Sequence, residues 1–407
     1  MSDESPVAVA ALAQEASPAT SGGKRGAEAD DFAELRRSCP VSTPRPGVHL
    51  VVRHADVAAI LTDVEHFSGA SPRTLAGRKP EADLSLQELG GPRHHSIRGL
   101  WLTALRRSAI APTEPTVREL CRERVGDLAA AGRAEVVADL ARPVVREALD
   151  YMIGIPLASR KRVHAWIQDQ KEDEAGSFAA LRGQASAASR AALDHWIAGE
   201  AMRRRALSKP PDDIFARLMA ATGDGGVGLT QAEFAAQVRF LCRAGTGSTV
   251  QLIANVVYEL ARVPARYARL REDRSLISVA IDESLRHAPP GAFTARTCIT
   301  ETELGGVRIK PGDEVILSLA SANRDESVFP NPERFDLQRG RLPVQVSFGR
   351  GSHRCPGALI ARMIATNLIE AMLNQMVEVR LAPGFVFESE DFCTRGPSHL
   401  SIELFAR

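Results

Sequence analysis

The spacing of apolar residues predicts that most of this chain is helical. The clearest helix signal begins with the capping box Thr-Gln-Ala-Glu at residues 230–233, whose first and last side chains can bond the free N–H groups of a first turn. From Phe234 onward the apolar residues keep to one broad face, which predicts a buried helix that continues to about Arg262. Residues 117–222 also have helical periodicity, with a break at residues 154–156.

Short strands are predicted on both sides of this helical region. Residues 48–53 form an apolar run followed by helical spacing, which predicts a strand and then a helix. Residues 295–297 and 307–317 predict short strands with a Pro-Gly turn. Residues 68–91 contain glycine, proline and charged residues without a sustained period, which predicts a loop.

Composition and charge exclude several classes of protein. The chain has 407 residues, 44% hydrophobic residues and a formal net charge of +1, so nothing favours nucleic acid or a membrane surface as a partner. The six cysteines are scattered without a zinc motif or a disulfide framework, which favours a reducing, cytoplasmic compartment. Residues 1–30 lack the basic and strongly apolar parts of a signal peptide and predict a flexible leader. No apolar run reaches the ~20 residues that span a bilayer.

The candidate chemistry lies in residues 348–357, Phe-Gly-Arg-Gly-Ser-His-Arg-Cys-Pro-Gly. Cys355 stands just before a helix predicted from Ala358 to Met376, and a thiolate is favoured at a helix N-terminus beside cationic groups. The glycines permit tight turns and leave room for a flat ligand against the main chain. A lone cysteine is more often a buried core thiol. The full pattern instead suits a metal centre with one protein sulfur ligand, such as haem iron.

This stretch resembles the haem-binding loop of the cytochrome P450 family, and the resemblance covers about residues 45–407 through five ordered motifs. It implies a mainly α fold with small β-sheets, a single triangular domain over residues 31–407, and a long central helix called helix I. It implies haem b as the cofactor and Cys355 as the iron ligand. The loop residues that would contact the haem are Phe348, Gly349, His353, Cys355 and Gly357.

Further haem contacts are expected from the helix that follows Gly91-Pro92. His94 and Arg98 are four residues apart on one helical face, and two donors there suit carboxylates such as haem propionates. A solvated polar face is the alternative, and His95 is a competing candidate in poorer register. The resemblance also implies that Arg296 reaches a propionate.

The middle of the long helix contains Ala-Gly-Thr-Gly-Ser-Thr at residues 244–249, where two glycines each cost roughly 1 kcal/mol. The stretch resembles helix I of the family, Ala/Gly-Gly-x-Asp/Glu-Thr-Thr. Gly247 stands where the family has its acid, and Ser248 where it has its threonine. The resemblance makes Gly247, Ser248 and Thr249 the candidate catalytic positions. Alternatively, the two hydroxyls bond back to helix carbonyls.

Two other motifs have structural interpretations. Glu283 and Arg286 resemble the family's Glu-x-x-Arg pair, which with Arg334 would form a buried network that supports the fold; taken alone, such a pair is common on surfaces. Arg203, Arg204 and Arg205 are expected to be solvated surface charges in a region, about 155–205, that acts as a mobile lid in the family. The residues expected to line an apolar substrate pocket are Ala244, Ala292, Phe293, Thr294 and Phe392.

The function implied by the resemblance is a monooxygenase that inserts one oxygen atom of dioxygen into a lipophilic terpenoid, steroid or polyketide. A separate ferredoxin and ferredoxin reductase would bring electrons from a nicotinamide cofactor to a cytoplasmic monomer. Because the helix I acid is absent, an atypical oxidation such as coupling, rearrangement, substrate-assisted or peroxide-driven chemistry stays open. A non-catalytic haem-binding protein is a third hypothesis. The basic residues expected near the docking face are Arg106, Arg107, Arg350, Arg354 and Arg362.

Overall fold

The computed structural model describes residues 32–71, 75, 77, 80–175, 183–222, 228–339, 345–389 and 394–406. The predicted leader, residues 1–30, and the pocket candidate Phe392 lie outside the described residues. Within them, the chain is mainly helical with small sheets, as predicted.

The helices follow the periodicity of the sequence closely. They are α1 (Ala33–Ser38), α2 (His54–Thr62), α3 (Gly91–Ala104), α4 (Arg107–Ile110), α5 (Glu114–Ala131), α6 (Arg142–Ile153), α7 (Leu157–Ala175), α8 (Gly183–Arg205), α9 (Ile214–Ala220), α10 (Gln231–Ala244), α11 (Thr246–Ala261), α12 (Pro264–Glu272), α13 (Leu276–His287), α14 (Leu319–Ala322) and α15 (Ala358–Gln375). A π-helical turn, Val136–Ala141, precedes α6. The predicted break at residues 154–156 is confirmed, because α6 ends at Gly154 with a left-handed φ of 89°.

The described strands form three small sheets. They are β1 (Val41–Arg45), β2 (Val48–Val51), β3 (Phe67–Ser68), β4 (Arg133–Glu135), β5 (Phe293–Cys298), β6 (Thr302–Leu304), β7 (Val307–Ile309), β8 (Glu314–Ser318), β9 (Met376–Leu381) and β10 (Ser401–Ala406). The largest sheet has the order β1-β2-β8-β5-β3, in which only β2 and β8 run parallel. The others are β4-β10-β9 and the pair β6-β7.

The long helix predicted from residue 230 is interrupted at Gly245, which corrects the expectation of one continuous helix. Its start is confirmed, since Thr230 and Glu233 form the reciprocal capping box. Gly245 keeps a helical backbone, with φ −85° and ψ −22°, but closes the end of α10 and precedes α11. Leu149 of α6 packs where a side chain would stand, with its Cδ1 3.0 Å from an ideal Cβ. Glycine therefore lets α6 approach the interruption closely.

The α6–α9 region contains a buried cation that the sequence did not reveal. Arg204 is 2% exposed, which corrects the expectation that residues 203–205 are solvated surface charges. Its guanidinium pairs with Glu200 and Asp213 and donates to the carbonyl oxygen of Gly154. These contacts tie the end of α8 to the α6–α7 turn and to the cap of α9, so the charge is fully matched by protein groups.

A second matched cluster joins α13 to the segment before the Cys355 loop. Arg286 donates to both carboxylate oxygens of Glu283 at 2.8 and 2.9 Å, and both side chains are fully buried. The second cation on Glu283 is Arg339, whose Nε donates to Oε1 of Glu283 at 3.0 Å. The prediction that Arg334 has this role is therefore wrong. The Arg334 side chain is exposed, and only its carbonyl oxygen takes part, as an acceptor for Arg286 and Arg339. We call Glu283, Arg286 and Arg339 the Glu283 cluster.

Candidate functional site

The Cys355 loop is a turn stabilised by its own backbone. The Cys355 N–H donates to the Phe348 carbonyl at 2.8 Å, and the N–H groups of Gly357 and Ala358 donate to the Cys355 sulfur. Gly351, in a single 3-10 turn, has a left-handed φ of 66°, and a Cβ there would lie 2.7 Å from the Leu61 carbonyl oxygen. Only glycine therefore lets this loop pack on α2.

The Cys355 thiol is both exposed and surrounded by protein. Its side chain is exposed, yet burial raises the pKa of the thiol, while the N–H groups of Gly357 and Ala358 and the Arg98 guanidinium lower it. Both observations fit a side chain that faces an internal space instead of bulk water. The sequence predicted that the loop would favour the thiolate. The structure contains the N–H groups and the cation that lower the pKa of the thiol, although the effect of burial is larger. A coordinated metal ion removes the proton of a thiol outright.

Four basic side chains from three elements, α3, β5 and the loop itself, lie close together here. The rings of His94 on α3 and His353 in the loop stack with centroids 4.1 Å apart. Arg98, one turn beyond His94, donates to the Arg354 carbonyl at 2.8 Å, and Arg296 of β5 is 7% exposed. The competing candidate His95 is exposed. We call His94, Arg98, Arg296 and His353 the His94 cluster.

The His94 cluster has no acidic partner among the described side chains. Burial, together with Arg98, lowers the pKa of His94 to about 4, and burial with His94 and Arg296 lowers that of His353 to about 3. Burial lowers the pKa of Arg296 to about 10, and its one described hydrogen bond goes to the Ala295 carbonyl. His94 Nε2 is buried without a hydrogen-bond partner. Buried cations and an orphaned donor fit an anionic ligand such as the two propionates of a haem.

A face of small residues lies around the interruption of the long helix. Ala244, Gly247 and Ser248 are exposed at spacings of three and four residues, although most of α11 is buried. A Cβ added at Gly247 would meet nothing within 4 Å. Thr249, by contrast, is 4% exposed and so points away from this face. A flat or bulky ligand can therefore approach the helix at these three positions.

The strand β5 separates the expected pocket residues onto two faces. The Phe293 ring packs edge-on against Phe32 at 5.9 Å, in a small core on the far side of the sheet from Arg296. Because side chains alternate along a strand, Thr294 shares the face of Arg296 and Phe293 does not. Phe293 is therefore wrong as a pocket residue. Ala292 is wrong for a different reason, because it is 1% exposed and protein already covers it.

Sequence reasoning missed Gly69, which lies against the His94 cluster. A Cβ at Gly69 would stand 2.7 Å from Cε1 of His353, so the absence of a side chain permits the histidine stack. No sequence signal distinguishes this glycine from others in the predicted loop, since its partner is almost 300 residues away in the chain.

Comparison with known proteins agrees with this geometry. The Cytochrome P450 family model matches residues 191–380, which contain Cys355. The chain is similar to cyclomarin C epoxidase of Salinispora arenicola (30% identity, 87% of this chain, 90% of that protein) and to erythromycin C-12 hydroxylase of Saccharopolyspora erythraea (32%, 82% and 83%). It is also similar to the solved structure of a cytochrome P450 from Chondromyces apiculatus, with a TM-score of 0.81, 28% identity, and coverage of 94% and 98%.

None of the described helices combines the length and apolar character needed to cross a membrane. The named relatives are epoxidases, hydroxylases and oxygenases, and the agreement extends over most of both chains. The chain therefore belongs to the cytochrome P450 family of haem-thiolate monooxygenases.

Proposed function

We propose that this chain binds haem b through Cys355 and inserts one oxygen atom of dioxygen into a lipophilic small molecule. The observation that carries the proposal is the pairing of a sulfur that accepts from two backbone N–H groups with a basic cluster that has no acidic partner among the described side chains. Bound haem supplies the dioxygen chemistry, and the protein positions the reactants. The proposed enzyme is a monomer in the cytoplasm.

The His94 cluster would bind the propionates, because a ring nitrogen of His94 has no hydrogen-bond partner and the one described hydrogen bond of Arg296 goes to a backbone carbonyl. Arg98 has a second function, since its bond to the Arg354 carbonyl ties α3 to the loop next to the sulfur. Phe348 would contribute by packing: its ring is covered by the Arg362 guanidinium at 4.6 Å, and its carbonyl accepts from the Cys355 N–H. Gly349, with a φ of 67°, would keep the loop narrow, and Gly357 would leave the sulfur free of a neighbouring side chain.

The substrate would lie against Ala244, Gly247 and Ser248, opposite Thr294. These side chains offer little polarity, so an apolar ligand would displace water at small desolvation cost. The Ser248 hydroxyl is exposed on this face and would hold or pass a proton there, whereas buried Thr249 would not. The names of two relatives, an epoxidase of cyclomarin C and a hydroxylase of erythromycin, support a natural product as the substrate. The classes that we propose for it are terpenoid, steroid and polyketide.

Electrons would come from a separate ferredoxin and ferredoxin reductase. Of the basic residues expected at the docking face, Arg106, Arg107 and Arg354 are exposed and Arg350 is partly exposed. Arg362 is the weakest candidate, since Asp282 already pairs with it at 2.7 Å. Reversing the charge of Arg106 and Arg350 should slow reduction and weaken its dependence on salt. Unchanged reduction would contradict this docking face.

A carbon monoxide difference spectrum of the reduced holoprotein tests the proposal directly. A thiolate-ligated haem gives a characteristic thiolate-type Soret band, and Cys355→Ser should lose it. A wild-type protein that binds haem without this band contradicts the assignment. Screening lipophilic compounds for the spin-state shift of the ferric haem then identifies the substrate class.

A second candidate is an atypical oxidation, favoured by one observation. The open space around Gly247 would accommodate the side chain of an acid, so packing does not explain why the chain has a glycine at this position. The enzyme would then use peroxide or a proton from its substrate. Product formation with peroxide alone, at a rate comparable to that with reductase, would favour this candidate; dependence on reductase would favour the first.

A further inference from the structure

A small cavity lies behind the helix interruption, outside the face assigned to haem and substrate. Its volume is about 30 Å³, enough for a water molecule. The lining residues come from α6, α7, α10 and the start of α11. They are Arg146, Leu149, Asp150, Ile153, Ile155, His164, Ile167, Gln168, Cys242 and Thr246.

Asp150 is the unusual member of this lining. It is 3% exposed, and its Oδ1 pairs with Nε2 of His164 at 2.9 Å. Its Oδ2 accepts no hydrogen bond; the nearest cationic atom is Nε of Arg160, at 3.5 Å. A buried carboxylate oxygen in this state is costly unless a water molecule donates to it, and the cavity beside it has room for one.

Thr246 bounds the cavity on the side of the long helix. It is the first residue of α11, and the N–H groups of a first helical turn have no acceptor within their own helix. No side chain caps this helix start. Thr246 and Ser248 lie two residues apart in α11 and so point to different sides of the helix, which means that a proton passing between their hydroxyls needs a bridging water.

The cavity is open toward solvent through its polar lining. The His164 side chain is 21% exposed, and Arg146 and Gln168 are exposed. Burial, with the charge of Asp150, raises the pKa of Cys242 to about 12, so this thiol stays neutral. Besides Cys242, the ionisable side chains that line the cavity or contact its lining are Arg146 and Asp150 on α6, and Arg160 and His164 on α7.

We propose that His164, Asp150 and water in this cavity carry protons from solvent to Thr246 and Ser248, in place of a carboxylate at Gly247. The inference rests on the proposed monooxygenase function. Converting R–H, dioxygen, two electrons and two protons into R–OH and water requires two protons from solvent, with the electrons from the nicotinamide cofactor through the redox partners. Asp150 and His164 act through water and Thr246, so they are positioning residues.

The main test uses Asp150→Asn, which keeps an acceptor for His164 but cannot carry a proton. The substrate-free holoprotein, supplied with NADH, a surrogate ferredoxin and its reductase, reduces dioxygen to peroxide with two electrons and two protons. We expect this reduction to slow by about tenfold, with a larger ratio between rates in H₂O and D₂O. An unchanged rate and an unchanged isotope ratio would overturn the relay. His164→Gln should reproduce the defect if Asp150→Asn folds poorly.

Two matched variants separate proton transfer from packing. Cys242→Ala changes the same lining without removing a proton carrier, so it should leave the rate and the isotope ratio unchanged. Adding Gly247→Asp to Asp150→Asn should restore the rate, because the space at position 247 accepts a side chain. A defect that this second change does not repair would mark Asp150 as purely structural and contradict the proposal.

A crystal structure at high resolution gives a readout independent of turnover. Water within hydrogen-bond distance of both Asp150 Oδ2 and the Thr246 hydroxyl is expected, and a dry cavity would overturn the relay. The carbon monoxide spectrum distinguishes failure of the proposed function from failure of the proton relay. A protein without the thiolate-type band refutes the proposed function, whereas an intact band with normal proton uptake in Asp150→Asn refutes only the relay.

Discussion

The Glu283 cluster and the His94 cluster are both groups of ionisable side chains that lie largely inside the protein, but among the described side chains only the first contains an acid. Arg286 and Arg339 share the Glu283 carboxylate and one backbone carbonyl. Each of the two also donates to further backbone carbonyls of its own. In the His94 cluster, Arg296 has a backbone carbonyl as its described partner, and a histidine nitrogen has none. A matched cluster stabilises the fold, whereas an unmatched one is unfavourable until a ligand of opposite charge arrives.

The largest expected effect comes from breaking the matched cluster. Glu283→Gln leaves two buried guanidinium groups without a carboxylate and should lower the free energy of unfolding by about 3–5 kcal/mol. Chemical denaturation of the apoprotein measures this loss. Glu301→Gln is the control, because its pair with Arg308 is exposed and should contribute little to stability. Equal effects of the two changes would show that burial of the Glu283 cluster does not increase its contribution to the free energy of unfolding.

The opposite result is expected when the unmatched cluster loses a cation. Arg296→Gln removes a desolvated charge that has no acidic partner in the described part of the chain, so the melting temperature of the apoprotein should stay the same or rise. Haem affinity should fall by about tenfold or more, since a charge-assisted hydrogen bond is lost. Haem titration and calorimetry measure the two quantities. A strongly destabilised apoprotein with unchanged haem affinity would reverse the assignment.

The pH dependence of stability, compared with and without haem, is a third way to distinguish the two clusters. Unfolded histidine takes up a proton near pH 6.5, but folded His94 does so only at about pH 4. Lowering the pH through this window therefore favours the unfolded state, and the free energy of unfolding of the apoprotein should fall. His287, beside the Glu283 cluster on α13, acts in the same direction because burial lowers its pKa as well.

Haem should distinguish these two histidines. Negative propionates would raise the pKa of His94 toward its ordinary value, whereas His287 is too enclosed by protein to respond. Denaturation at several pH values, with His94→Gln and His287→Gln compared with and without haem, measures each contribution. If haem removes the His287 contribution and leaves that of His94, the proposed propionate site is misplaced.

The smallest effect is expected at Arg334. Only its carbonyl oxygen accepts hydrogen bonds, so Arg334→Gln should change the free energy of unfolding by less than about 0.5 kcal/mol. Arg339→Gln should be clearly destabilising, because its guanidinium bonds Glu283. Denaturation of the pair decides which arginine belongs to the cluster. A larger loss from Arg334→Gln would restore the arginine that the sequence predicted.

The sequence predicted well whatever neighbouring residues encode. The capping box of α10, the end of α6 at Gly154 and the helix after Cys355 depend on residues within a turn or two of one another. The Cys355 loop is a similar case, since its order of glycines, histidine and cysteine is sufficient to indicate haem. Such features hardly depend on how distant segments pack.

Tertiary packing decided which of several similar residues is used. Arg334 and Arg339 have the same chemistry five residues apart, and only the direction of the chain there brings Arg339 to Glu283. Phe293 is apolar and near the expected site, but the alternation of β5 turns it toward Phe32. Arg204 is one of three consecutive arginines, and the approach of α6 and α9 selects it for burial.

The sequence by itself thus determined the helical fold, the Cys355 loop and the glycine-rich stretch of the long helix, because each is encoded by consecutive residues. Only the tertiary structure decided that the His94 cluster has no acidic partner among the described side chains and that Asp150 lies behind the helix interruption. Both facts depend on side chains from several elements, and an electrostatic environment exists only once those elements have packed together.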